Sequence, residues 1–420
     1  MSFWNAEIVA VGSELLTPFR VDTNSLYLTE QLNTLGIAVV GKQVVGDDGE
    51  RLTEVLRAAF LRSRLTVVTG GLGPTTDDLT RECSAAALGV GLQRSAVLVA
   101  DLEAFFRTRA PTRKMPASNL RQADLVEGAE ALANPHGTAP GQWWASADRV
   151  LVLLPGPPRE LRPMVENEVL PRLRRIVTPG ALATRVLMLA ERPESEVDGL
   201  AVPIYARYPD VESTILTTLP GQIELHFRAS GASPAAALAR ADTVAEEVAA
   251  VFGTSIFSHH GATLEAVVGG LLRERGESVA VAESCTGGLL GGRLTSVPGA
   301  SQFFRGGLIC YHDELKTGWG GVSPATLAAH GAVSEATACE LAAGARRGSK
   351  ADWGVAITGI AGPDGGTPEK PVGLVFIGIA GPEHPPVAVR REFWGERERI
   401  RGLSTQAALN RLRLTLAGGL

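Results

Sequence analysis

Short apolar, β-branched runs alternate with helix-period stretches over the first 170 residues, and several of these runs empty into glycine. Runs at 8–11, 37–45 and 65–69 flank helical patterns at 25–35 and 50–63. A strand that is apolar on every residue is buried on both faces, and the helix between two such strands is the crossover that a parallel pair requires. The pattern therefore dictates an α/β fold on a largely parallel sheet. Sheets of that kind bind ligands at the carboxyl ends of their strands.

One such end is Gly70-Gly71-Leu72-Gly73-Pro74-Thr75-Thr76-Asp77-Asp78, with a helix expected from Leu79. Gly70, Gly71 and Gly73 let backbone approach a ligand closely, and a following helix N-terminus attracts anions, so phosphate is the expected guest, although the pattern is not a Walker loop. Asp77 and Asp78 admit two readings. They stabilise the helix start, or they hold a divalent cation that bridges them to the phosphate. Gly12-Ser13-Glu14, Asp22-Thr23-Asn24, the stretch from Asn134 through Gly137 to Gly141, and Leu154-Pro155-Gly156 stand at equivalent strand ends.

A second such end follows the run at 278–282: Glu283-Ser284-Cys285-Thr286-Gly287-Gly288, then an apolar helical stretch to 294. A serine on a strand-to-helix turn is raised above its sheet, beside backbone N–H groups that can meet an oxyanion. Only five of the forty basic residues are lysines, and one, Lys316, closes the segment from Tyr311. A buried lysine can lose its proton, which arginine cannot, so Ser284 and Lys316 form a candidate hydrolytic pair. Two alternatives stand beside it. Ser284 or Thr286 merely caps the helix, or Cys285 is the nucleophile, with His312 or His330 folded close.

With 420 residues, 45% hydrophobic and 20% charged, the chain supports two or three domains. Breaks place them at 1–170, 171–253 and 254–420. The middle piece reads as a small α+β unit, with strands at 185–189 and 223–229, a helix start at Glu194 and a helix at 233–251. A net charge of -5 without a basic stripe argues against nucleic acid as main ligand. Four scattered cysteines fit neither zinc nor disulfides and suit a reducing cytoplasm, His259-His260 reads as linker, and no targeting or membrane segment is expected.

These motifs resemble the CinA family from end to end. Gly12 to Leu16, Asp22 to Asn24, Val45 to Asp48, Thr69 to Asp78, Asn134 to Gly141 and Leu154 to Pro158 are similar to its molybdopterin-binding-like domain. Ala282 to Gly288, Tyr311 to Lys316, Thr358-Gly359-Ile360-Ala361-Gly362-Pro363 and Gly395 to Arg401 are similar to its nicotinamide mononucleotide deamidase domain. The resemblance implies a three-layer α/β N-terminal domain, a KH-like middle domain and a C-terminal α/β deamidase domain. It implies two hydrolytic activities of pyridine-nucleotide salvage. One is deamidation of nicotinamide mononucleotide without a cofactor. The other is cleavage of ADP-ribose with a divalent metal.

By position, Ser284 is implied as nucleophile, Lys316 as base and Tyr311 as an orienting neighbour. Cys285, Thr286, Gly287 and Gly288 are implied as oxyanion donors or substrate contacts, and Thr358, Gly359, Arg397 and Arg401 as contacts to ribose and phosphate. In the N-terminal domain, Asp77, Asp78, Glu14 and Asp22 are implied as metal ligands. Asn24, Gly70, Gly71, Gly73, Thr75, Asn134, Gly137, Pro155 and Gly156 are implied around the nucleotide. Ser13 departs from the acidic residue usual at its position, and Asp313 from the usual asparagine. The middle piece lacks the Gly-x-x-Gly clamp of nucleic-acid-binding KH modules, so it is expected to space or oligomerise, with a homodimer as the expected assembly. The competing readings are an N-terminal domain that binds a pterin or nucleotide without hydrolysis, and a non-enzymatic competence accessory protein.

Overall fold

The structure is a computed structural model that describes residues 4–109, 115–177, 180–382 and 385–418. The chain groups into two compact units, Met1–Ala183 with Ala229–Ala239, and Thr184–Arg228 with Arg240–Leu420.

In the first unit, β1 (Asn5–Val11), β2 (Ala38–Val45), β3 (Leu65–Thr69), β4 (Leu92–Arg94), β5 (Asp124–Val126), β6 (Glu130–Leu132), β7 (Gly141–Ala145) and β8 (Val150–Leu154) follow in chain order. Six of them form a sheet of order β2-β1-β3-β8-β7-β6, and β4 pairs with β5 separately. β2, β1, β3 and β8 are parallel, and β7 and β6 add an antiparallel edge. Alternate residues of each strand serve opposite faces. Ile8, Val67 and Val152 pack with Leu28, Leu161 and Leu173 of helices on one side. Val9, Val68 and Leu153 pack with Leu52, Leu56 and Cys83 on the other. This makes three layers, and each fully buried aliphatic contributes about 1.5–3 kcal/mol.

The helix expected at 25–35 spans Thr23–Asn33, because the Asp22 carboxylate accepts the Ser25 N–H at 3.0 Å and starts it two residues early. Asp48 does the same for Gly49–Arg62. Register aligns Ala10 with Thr69 and Thr69 with Leu154, so the segments after β1, β3 and β8 emerge side by side. Gly70 has φ +96°, and a Cβ there would lie 2.2 Å from the Val11 carbonyl oxygen. Gly70→Ala is therefore expected to cost roughly 2–3 kcal/mol in urea unfolding of the N-terminal domain.

The second unit holds most of a four-stranded sheet made of β9 (Ala181–Ala190), β10 (Val211–Leu219), β11 (Gln222–Gly231) and β12 (Ile256–Ser258), in the order β10-β11-β9-β12. The sequence reading gives no strand at β10 or at β12, and β12 lies just past the boundary placed at 253. The unit's five-stranded sheet consists of β13 (Val279–Glu283), β14 (Phe304–Ile309), β15 (Trp353–Gly359), β16 (Leu374–Ala380) and β17 (Val387–Glu392), ordered β14-β13-β15-β16-β17. β13 runs parallel to β14 and β15, while β16 and β17 are antiparallel. Val279 and Val281 face helices Leu264–Arg275 and Arg397–Leu416. Ala280, Ala282 and Ala356 face Leu341, Ala342 and Ala345 of helix Glu335–Ser349, where small residues allow close approach. No helix among the described residues is long and apolar enough to cross a membrane.

Candidate functional site

The N-terminal candidate is a cleft of about 590 Å³ at the carboxyl ends of β1, β3 and β8. Gly70, Gly71, Gly73, Gly137, Pro155, Gly156, Glu14, Asp77 and Asp78 line it, joined by Asp47, His136, Arg159 and Glu160, which the sequence reading had not singled out. The glycine loop is held from within. Asp78 accepts the N–H groups of Gly73 and Thr75, both at 2.8 Å, and the Thr75 hydroxyl. Arg81, 1% exposed, donates to the carbonyls of Leu72 and Gly73 at 2.7 and 2.8 Å. Arg121 donates to the Thr75 carbonyl at 2.6 Å.

Several of the carboxylates expected around a metal have protein partners of their own. The helix after the loop starts at Thr80, so Asp78 does not stand in its first turn. Its carboxylate accepts three donors from the loop, which fill most of its lone-pair sites. Asp22 is a helix cap, and the Glu14 carboxylate folds back on Gly12. Among the described residues, no group of three or more His, Cys, Asp or Glu could hold a metal ion.

Asn24, Thr75 and Asn134 act as supports. Asn24 donates to the Gly156 carbonyl at 2.7 Å, and Asn134 donates to the Ala139 carbonyl and to Glu160, both at 2.8 Å. A Cβ at Gly137 would collide with Glu160 at 1.9 Å, so only glycine admits that carboxylate. Ser13 is also structural: its hydroxyl accepts the Asp47 N–H at 3.0 Å, and its own N–H donates to Asp47 at 2.9 Å.

The C-terminal candidate sits at the ends of β13, β14 and β15. The Ser284 N–H donates to the Ile357 carbonyl at 2.9 Å, and the Cys310 N–H to that of Glu283 at 2.8 Å, which places the three strand ends side by side. Lys316 is 2% exposed, and its ammonium donates to the Tyr311 carbonyl at 3.0 Å and to Asp313 at 3.1 Å. Asp313 thus binds the lysine by charge. No hydrogen bond joins Ser284 Oγ to Lys316 Nζ among the described residues. Arg397 donates to the Tyr311 hydroxyl at 3.0 Å and to the Gly362 carbonyl at 2.7 Å, and Arg401 donates to the Thr286 carbonyl at 2.8 Å.

Two sequence readings narrow here. Of the expected oxyanion donors, Gly287 N–H is taken by the Ser284 carbonyl and Gly288 N–H by the Glu283 carboxylate. That leaves the N–H groups of Cys285 and Thr286. Burial pushes the Cys285 thiol up to about 11, although Arg397 and Arg401 oppose the shift, so it is a thiol at neutral pH. His312 and His330 are both exposed and neither bonds the sulfur. Thr358 is fully buried, with its hydroxyl on the Ala332 carbonyl. Gly359 packs against β16, where a Cβ would lie 2.8 Å from the Leu374 carbonyl oxygen.

A family profile described as "Probable molybdopterin binding domain" matches residues 7–175, and one described as "CinA C-terminal domain" matches residues 261–416. Proteins named "CinA-like protein" are similar along the whole chain. That of Acidobacterium capsulatum is 46% identical, covering 98% of this chain and 99% of its own. That of Solibacter usitatus is 46% identical, covering 99% of each. That of Synechocystis sp. is 41% identical, covering 98% and 99%.

Proposed function

The chain belongs to the CinA family, and from that premise we propose that its C-terminal domain is a serine amidohydrolase converting nicotinamide mononucleotide to the acid mononucleotide and ammonia. The observation that carries this reading is the burial of Lys316, on the short helix Asp313–Gly318 that follows β14, with β14 paired to the strand that ends at the Ser284 turn. Lys316 first gives one ammonium proton to solvent, and as the neutral amine it takes the Ser284 hydroxyl proton while Oγ attacks the carboxamide carbon. The tetrahedral oxyanion meets the N–H groups of Cys285 and Thr286. Ammonia leaves with the proton from Lys316, and water then hydrolyses the serine ester to release the acid. Arg397 and Arg401 offer cationic partners to the substrate phosphate. The test is ammonia release from nicotinamide mononucleotide by the purified protein with no metal added. No release under any buffer condition would sink the reading.

For the N-terminal cleft we infer a ligand with a pyrophosphate, ADP-ribose being the one the family implies. Five carboxylates line the cleft against Arg159 and His136, so an anionic ligand needs a counter-charge. Among the described residues the carboxylates form no three-ligand cage, so a divalent counter-ion would be held through one or two of them and the ligand's own phosphates. Asp78→Asn exchanges one acceptor oxygen for a donor beneath the loop, and is expected to weaken ADP-ribose binding about tenfold whether or not magnesium is present. Asp77→Asn is expected to change it far less. Titration calorimetry of both variants checks this, and an Asp78 effect confined to magnesium would return that carboxylate to the metal.

A further inference from the structure

Glu283 is the last residue of β13 and is 1% exposed. Its carboxylate reaches over the turn that follows. One oxygen accepts the N–H groups of Gly288 and Leu290, each at 3.0 Å, and the other accepts that of Gly291 at 2.8 Å. A buried carboxylate is costly unless its lone pairs are filled, and three backbone donors fill them. The segment it grips contains Gly287, Gly288, Gly291 and Gly292. Glycine loses more freedom on ordering than any other residue, and helix Leu289–Thr295 is too short to hold its own first turn. The rigidity of the turn that carries Ser284 has to come from outside the turn.

We propose that Glu283 is a positioning residue for the deamidation, acting through this turn. Resting on the amidase reading above, it makes two contributions. It immobilises the segment after Ser284, and it occupies the N–H groups that would otherwise compete for the oxyanion. Of the turn's amides, Ser284, Gly287 and Gly288 have acceptors. The N–H groups of Cys285 and Thr286, next to the nucleophile, are the donors left to the substrate.

The experiment compares wild type, Glu283→Gln, and Glu283→Gln combined with Gly292→Ala, all assayed for ammonia release from nicotinamide mononucleotide. Glutamine keeps the shape but turns one acceptor oxygen into a donor facing an N–H. The expected result is a kcat about 30-fold lower, with KM within about threefold, since displacement of reacting groups acts on the chemical step. Gly292 is helical and a Cβ there meets nothing within 4 Å, so alanine stiffens the turn and is expected to restore several-fold of the lost kcat. Unchanged kcat in Glu283→Gln, or no recovery in the double variant, overturns the proposal. If Glu283→Gln does not fold, amide hydrogen exchange of the wild type decides. Slow exchange across 288–291 supports the clamp and fast exchange refutes it. A wild type that releases no ammonia removes the amidase reading and this inference together, whereas an active wild type matched by Glu283→Gln removes this inference alone.

Discussion

Ser284→Ala is expected to lower ammonia release from nicotinamide mononucleotide by roughly four orders of magnitude or more, the scale on which loss of a hydrolase nucleophile operates. The fold should barely notice. Ser284 Oγ has no hydrogen-bond partner among the described residues, and its backbone N–H, which donates to Ile357, survives the substitution. Thermal unfolding within about 2 °C of wild type, together with unaltered ADP-ribose binding, would localise the loss to chemistry. A thiol blocker should leave the wild type active, because the Cys285 thiol is buried and pushed up to about 11. Inhibition by the blocker, or substantial turnover by Ser284→Ala, would transfer the nucleophile to Cys285.

Lys316→Arg is expected to lower kcat about a thousandfold, almost as far as Lys316→Met, because a guanidinium keeps the charge but does not surrender its proton. The two variants separate base from scaffold. Arginine can still donate to Asp313 and the Tyr311 carbonyl, so a purely structural lysine would be replaced with modest loss. Methionine leaves those acceptors without their donor, but Asp313 has a 61% exposed side chain and rehydrates, which confines the stability cost to about 1–2 kcal/mol. Steady-state kinetics with a parallel melting curve decides. Near-wild-type kcat in Lys316→Arg would show that Lys316 only positions Tyr311 and its loop.

Much of the frame is legible in the residue order. The short β-branched runs at 65–69 and 278–282 read as buried strands because no charged residue interrupts them, and β3 and β13 fall there. β10 escaped because VESTILTTL alternates polar threonine and serine with few large apolar residues, and its burial is partial. The site residues divide in the same way. Ser284 is visible because a serine at a strand-to-helix turn has a local signature. Asp78 misleads because a carboxylate after a glycine loop looks identical in sequence whether it faces a ligand or its own backbone. Glu283 stands in its motif with no visible role, since three backbone N–H acceptances leave no trace in residue order. Arg81 and Arg121 were missed for a related reason: a buried arginine that braces loop carbonyls is spelled like any surface arginine.

Residue order alone carries the α/β class and the two strand-end loops, because strand burial, helix period and glycine turns are short-range properties of neighbouring residues. Tertiary structure alone decided which polar atoms remain free for a ligand. Thr358 reaches the Ala332 carbonyl 26 residues away and Arg121 the Thr75 carbonyl 46 residues away, while Asp78, Asp22, Glu283 and the amide of Gly287 take partners within a few residues, in turns whose conformation the residue order does not spell out. Hydrogen-bond saturation is a property of the assembled site, and no residue carries it alone.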